Sequence, residues 1–353
     1  MTNDEKYIAR CIQLAKNAYC NAAPNPMVGA VIVHNGVIIG EGYHIRCGEP
    51  HAEVNAIRSV KDENLLKEAT IYVSLEPCSH YGKTPPCADL IIEKKIPEVV
   101  IGCMDPFSMV AGRGIEKLRK AGIKVTVGVL EKECQQLIRH FITFNTKKRP
   151  YITLKWAESA DGFIDAKREG GSPVILSSPL TSMVVHKRRA EHKAILVGRK
   201  TALLDNPSLT TRNWSGKDPI RLVIDKNLTL PKHLHLFDGK VQTLVFTQKN
   251  ITGNHPSVEY IRLDFSQNIL PQIMDILYKR KIQSLLVEGG SILLQSFIDD
   301  SLWDEAYIEI SPLHLNEGIK APDMNKKHSF LINHNFGRKV YYAQNKTSES
   351  EKF

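Results

Sequence analysis

Apolar residues along this chain switch repeatedly between a spacing of three to four and short continuous runs. Tyr7 to Ala18 carries apolar residues at helical spacing and predicts a helix. Val28 to Val33 and Val37 to Gly42 predict two strands joined at Asn35-Gly36, a dipeptide suited to the tight turn of a hairpin. His51 to Val60 reads as a helix, because Ala52, Ala56, Ile57 and Val60 recur on one face. Strand Thr70 to Leu75, helix Cys87 to Lys95, strand Val99 to Cys103, helix Gly114 to Ala121 and strand Val125 to Val129 follow. The alternation predicts a three-layer α/β domain.

A charged break, Thr146-Lys147-Lys148-Arg149-Pro150, precedes the next strand, Tyr151 to Trp156. It sets an expected boundary between domains at 1–146 and 147–353. The second half alternates again. A helix is expected from Ser178 to Arg189, then strands Ala194 to Val197, Ile220 to Ile224 and Thr243 to Phe246. Helix Leu270 to Lys279, strand Ser284 to Val287, helix Ser291 to Ile298 and strand Glu305 to Ile310 complete the pattern. The polar tail after about residue 336 reads as frayed or peripheral.

Composition narrows the class. The 353 residues are 42% apolar and 24% charged, ordinary for a globular protein of two domains. No apolar run is long enough to span a bilayer, and the acidic start Met1-Thr2-Asn3-Asp4-Glu5 lacks the form of a signal peptide, so a cytoplasmic location is expected. The seven cysteines all fall within the first 134 residues; a disulfide framework is unusual in a cytosolic chain of this size, so metal binding is the better use for Cys78 and Cys87, and the other five read as small buried residues. Net charge is +9 and uneven, with 17 basic against 16 acidic residues up to 146 and 30 against 22 beyond. A basic second half suits a phosphorylated small molecule as well as nucleic acid.

The chemistry concentrates in His51-Ala52-Glu53, Glu76-Pro77-Cys78 and Cys87. One imidazole and two thiols make three zinc ligands and leave a fourth position for water, the signature of a catalytic site. His80 is a further candidate ligand, but it follows Cys78 too closely to be the first choice. Glu53 lies two residues from His51 and is placed to move protons on the bound water. His-x-Glu followed by Pro-Cys marks zinc nucleobase deaminases. Eight residues, rather than two, separate the cysteines, and this His-, Lys- and Thr-bearing insert is suited to a phosphate. In the second half, Val287-Glu288-Gly289-Gly290 ends a strand and opens a helix, where backbone N–H groups can approach a phosphate.

Pro24-Asn25-Pro26-Met27-Val28-Gly29, His51 to Val54, the run from Leu75 to Cys87, and Asp105-Pro106 with Val110 to Gly114 resemble the bifunctional deaminase–reductase of riboflavin biosynthesis. Lys155, Ser159-Ala160-Asp161-Gly162, Gly198 to Arg212 and Glu288-Gly289-Gly290 are similar to the reductase half of that family. The resemblance implies a cytidine-deaminase-like domain followed by a dihydrofolate-reductase-like domain, with zinc and NADPH as cofactors. It implies that Asn25, His44, Lys83 and Asp105 contact the pyrimidine substrate. Ala157, Thr201, Asp205, Gly289 and Gly290 would lie along NADPH. Lys155, Ser172, Arg189, Leu209, Arg212 and Glu288 would hold the phosphorylated ribosylamine. Val174 stands where the family usually has Trp, and the stretch after Pro312 lacks the family's Leu-Gly. A homo-oligomer, dimer or tetramer, is expected, with no nucleic-acid or membrane partner. Three other readings differ in what they predict. A tRNA-type deaminase with a basic binding domain predicts clustered Lys and Arg with interleaved aromatics, whereas aromatics are 7% and the basic residues are scattered. A deaminase with an inactive reductase domain predicts no hydride transfer. A zinc-stabilised interaction protein predicts that Glu53→Gln changes nothing.

Overall fold

The computed structural model describes residues 1–19, 21–81, 85–106, 112–251, 256–324 and 330–345. The chain divides into two compact units, Met1–Lys148 and Arg149–Phe353.

In the first unit, α1 (Asn3–Ala15) starts at a capping box in which Thr2 and Glu5 bond reciprocally, earlier than its apolar stripe suggests. The hairpin of β1 (Gly29–His34) and β2 (Val37–Tyr43) turns at Asn35 and Gly36, both at positive φ, as its tight turn requires. Then come α2 (Ala52–Arg58), β3 (Thr70–Leu75), α3 (Cys87–Glu93), β4 (Glu98–Cys103), α4 (Arg113–Lys120) and β5 (Lys124–Val127). Two helices follow that the apolar pattern did not predict, α5 (Glu131–Leu137) and α6 (Arg139–Lys147). The sheet order is β2-β1-β3-β4-β5, antiparallel around β1 and parallel from β3 to β5. Strand residues alternate between two cores. Ala30, Ile32, Ile71, Val73, Val99 and Ile101 meet α2, α3 and α4. Val31, Val33, Tyr72 and Val100 meet α1 and α5. These are the three layers expected.

The second unit contains β6 (Tyr151–Glu158), β7 (Phe163–Asp165), α7 (Pro179–Glu191), β8 (Ala194–Gly198), α8 (Arg199–Asp205), β9 (Ile220–Ile224), β10 (Thr243–Thr247) and β11 (Val258–Arg262). It continues through α9 (Ile269–Lys279), β12 (Ser284–Glu288), α10 (Ser291–Asp299), β13 (Glu305–Ile310), β14 (Ile319–Lys320), β15 (Phe330–Asn335) and β16 (Arg338–Gln344). Nine strands form one sheet in the order β11-β10-β9-β8-β12-β6-β13-β16-β15. Pairing is parallel as far as β13 and antiparallel beyond it. Fully buried Leu285, Val287, Leu196 and Leu222 pack with α9 and α10 on one face, while Ile195, Val197, Val223 and Leu286 face the other.

The tail departs from expectation. Residues 338–344 are neither frayed nor peripheral: β16 lies inside the sheet between β13 and β15, with Val340 and Ala343 buried. Its two buried residues are three apart and so lie on opposite faces, among half-buried polar and aromatic neighbours; the strand carries no alternating apolar stripe, and composition understates its order. The turn at Phe336-Gly337, both at positive φ, is a hairpin signal that the polar composition masked.

Candidate active sites

Each metal-ligand candidate sits at or near the end of an element. His51 is the residue preceding α2, in extended backbone, and Glu53 lies in the helix's first turn. Cys87 is the first residue of α3, and Cys78 follows β3 by three residues. The helix and strand packing thus converges their side chains. His51 Nδ1 lies 3.6 Å from Cys78 Sγ and 3.4 Å from Cys87 Sγ. All three donor atoms lie within 4.8 Å of one another. Nitrogen and sulfur donors on one tetrahedral zinc stand about 3.5 Å apart, so the spacing fits. His80 is exposed and lies outside this cluster.

The electrostatics agree. The Cys78 thiol is pushed down to about 4, first by a hydrogen bond from the Cys87 thiol, with His51 and the Cys87 backbone N–H helping. That N–H donates to Cys78 Sγ at 3.3 Å from the start of α3. The same hydrogen bond, with burial, drives the Cys87 thiol far up. The two thiols thus share a proton between them, and a divalent cation held there would ionise both. His51 is raised, chiefly by its hydrogen bond to Cys78. Glu53 is only 3% exposed, and burial, with the Cys78 charge, pushes it up to about 7. A carboxyl poised there can both take and return a proton near neutrality.

Two of the four expected pyrimidine contacts adjoin this cluster. The His44 ring stands edge-on to His51, 5.4 Å between centroids. Its Nδ1 lies 3.1 Å from the Pro50 carbonyl, and burial lowers its pKa. Nδ1 therefore donates to that carbonyl, and Nε2 accepts from Asn25 Nδ2 at 3.1 Å. Asp105 follows β4, and its backbone N–H donates to Glu76 at 3.2 Å. Lys83 lies outside the described residues. Glu76 itself, 4% exposed, carries a role that the sequence reading did not assign: its carboxylate gathers the loop that holds Asp105.

The second unit's candidates gather at the ends of β6, β8 and β12. Lys155 and Ala157 lie on β6, Thr201 and Asp205 on α8. Gly289 and Gly290 link β12 to α10 at φ 105° and 77°. A Cβ on Gly289 would stand 2.9 Å from Thr201 Cγ2, so these two segments meet only because that position is glycine. A glycine cradle opening the nine-residue α10 fits a cofactor bearing phosphates.

Arg189 and Glu288, 99 residues apart, form a partly buried pair at 2.7 Å. Burial pushes the Glu288 carboxyl up, but Arg189 and Lys155 outweigh it and hold its pKa below the ordinary value. Arg189 also donates to the Thr210 carbonyl at 3.2 Å. Its guanidinium is thus committed within the protein, whereas Arg212 is exposed. Leu209 is buried at φ 53°, and Ser172 is exposed in the connection between β7 and α7. Burial lowers the Lys155 ammonium, against the pull of Glu288 and Glu309.

Two further groups escaped the sequence reading. Glu309 accepts from Ser177 Oγ and Thr181 Oγ1, each at 2.7 Å, and anchors the start of α7. Arg168 pairs with Asp165 at 2.7 Å and with Asp205, and donates to the Leu204 and Gly171 carbonyls. Neither stands in a motif; the partners of Glu309 are distant in sequence, and Arg168 joins the nearby Asp165 to the distant Asp205.

The two units also match family models. Residues 1–103 match the cytidine and deoxycytidylate deaminase zinc-binding region, and residues 150–325 match the RibD C-terminal domain. The riboflavin biosynthesis protein RibD of Aquifex aeolicus is 38% identical over 91% of this chain and 90% of its own. The chain belongs to the RibD family. The Escherichia coli RibD is also 38% identical, over 90% of both chains. A solved Thermotoga maritima structure, a diaminohydroxyphosphoribosylaminopyrimidine deaminase/5-amino-6-(5-phosphoribosylamino)uracil reductase, is 38% identical with a TM-score of 0.88, covering 97% of this chain and 98% of that one. As a RibD family member the chain is a bifunctional deaminase and reductase of riboflavin biosynthesis, with zinc and NADPH as its cofactors. No helix among the described residues is long and apolar enough to cross a membrane.

Proposed function

We propose that the first domain, residues 1–146, hydrolyses the 2-amino group of 2,5-diamino-6-(5-phosphoribosylamino)pyrimidin-4(3H)-one, and that residues 147–353 then reduce its ribosyl group to ribityl. The observation that carries this reading is the His51, Cys78 and Cys87 cluster with Glu53 buried beside it. His51, Cys78 and Cys87 would hold zinc, which would supply Lewis acidity to the attacking water. Glu53 takes a proton from the attacking water and delivers it to the leaving nitrogen, so that ammonia departs and a ring carbonyl remains. Asn25 and Asp105 read the pyrimidine edge, and His44 fixes the orientation of Asn25. Lys83 is assigned to the substrate phosphate.

For the second step, NADPH bound there would supply the hydride that reduces C1′ of the ribosyl group. Ala157, Thr201, Asp205, Gly289 and Gly290 line the cofactor. Lys155, its pKa lowered by burial, hands a proton to the opening ribosyl unit while Glu288 keeps it in place. Arg212 takes the phosphate, with Ser172 and Leu209 completing that wall and Arg189 orienting Glu288. We place the enzyme in the cytoplasm, consistent with free thiols at Cys11, Cys47, Cys78, Cys87, Cys103 and Cys134. Its assembly is a dimer or tetramer, which light scattering tests. The function is tested by mass spectrometry of products from the diaminopyrimidinone substrate. Amine must exchange for oxygen without NADPH, and two hydrogens must be gained with it; failure of the first step overturns the reading.

A further inference from the structure

Glu76 is a carboxylate buried between the metal-ligand strand and the loop that follows β4. Its own backbone N–H bonds to the Cys103 carbonyl at 3.0 Å, extending the pairing of β3 with β4 by one residue. Its side chain then accepts four backbone N–H groups. Oε2 takes those of Asp105 at 3.2 Å and Gly112 at 3.0 Å; Oε1 takes those of Gly114 at 2.9 Å and Ile115 at 3.3 Å. An ionised carboxylate has about four lone-pair sites, so its accepting capacity is filled. The fit is tight. A Cβ on Gly114 would stand 2.1 Å from the Pro77 carbonyl oxygen, so α4 begins in contact with the residue before Cys78. One side chain thus ties a metal ligand's neighbour to the main chain of Asp105 and to the start of α4.

We propose that Glu76 is a positioning residue for deamination, holding Asp105 at a fixed distance from the metal cluster so that the pyrimidine is presented to the attacking water. This rests on the reading of Asp105 as a substrate contact. The alternative, simple packing of the loop, would lower stability without distinguishing substrate binding from zinc binding. Glu76→Gln tells them apart. The variant keeps the shape but turns an NH2 toward two of the four N–H donors, so those bonds are lost and the hold on Asp105 loosens.

The experiment measures deamination kinetics, zinc content and reduction of the separately supplied deaminated intermediate for Glu76→Gln, Asp105→Ala and the double variant. Losing two such hydrogen bonds should raise KM for deamination about tenfold, with zinc at one per chain and reduction unchanged. Because Glu76 acts through Asp105, the double variant should be little worse than Asp105→Ala alone, and Glu76→Asp should recover part of the loss. Additive losses, loss of zinc in Glu76→Gln, or an unchanged KM would overturn the proposal. If Asp105→Ala deaminates normally, it is the assignment of Asp105 that falls, a result distinct from failure of Glu76→Gln alone. Should Glu76→Gln not fold, the same cycle is run with Glu76→Asp, where additivity with Asp105→Ala again overturns the proposal.

Discussion

The two units carry their chemistry in opposite ways. In the first, the metal donors fall within 37 residues of sequence, from His51 to Cys87, and each opens a helix or closely follows a strand. In the second, the groups that set the charge come from far apart: Arg189 with Glu288, Arg168 with Asp205, Glu309 with Thr181. A metal imposes donor types and a tight geometry, so its site is written as a motif. A hydride transfer asks mainly for two molecules held in place, and many scattered residues can share that task. The difference teaches that the first site should fail sharply when one group is removed and the second gradually.

Zinc removal gives the largest contrast. A chelator should abolish deamination and leave reduction of the deaminated intermediate intact, as ammonia release and NADPH absorbance would show. If both activities fall together, the two chemistries are not separable. Next in size is Glu53→Gln. Removing a general acid–base should cost about 10²–10⁴-fold in deamination while zinc content, read by atomic absorption, stays unchanged.

Effects in the second unit should be milder and spread over several residues. Arg168 is largely buried between Asp165 and Asp205, so Arg168→Ala leaves two carboxylates uncompensated. Such a break should destabilise that unit by about 3 kcal/mol, seen as earlier denaturation of the reductase activity in urea. The smallest effect is a pH dependence. The Glu288 carboxyl is held below its ordinary value of 4.5 in the folded protein. Its unfolded state therefore binds the proton more readily, and the stabilisation is present above that pH and lost as pH falls through the folded-state value. Glu288→Gln should flatten the acid limb of the second unit's stability; an unchanged limb would contradict the assigned pairing.

The same contrast explains what was legible beforehand. Strands β3, β9 and β13 were predicted residue for residue, because their apolar runs are bounded by clear breaks. Helices α5 and α8 were not, being short, with few buried residues to mark a face. Strand β16 was hidden by its polar composition although it lies inside the sheet. The His51, Cys78 and Cys87 set was readable from spacing, since ligand chemistry restricts the residue types. Glu76 sat in full view within Leu75 to Cys87, but its partners are backbone N–H groups, which leave no trace in side-chain identity. Glu309 with Thr181, and Arg168 with Asp205, are paired by topology.

One chain thus holds two separable reactions, the first turning on Glu53. The most direct test is mass spectrometry of Glu53→Gln protein given, in parallel, the diaminopyrimidinone and the already deaminated intermediate, each with NADPH. The account predicts no exchange of amine for oxygen in the first sample and a normal gain of two hydrogens in the second. Continued deamination, or loss of both reactions in a folded, zinc-loaded variant, would contradict it.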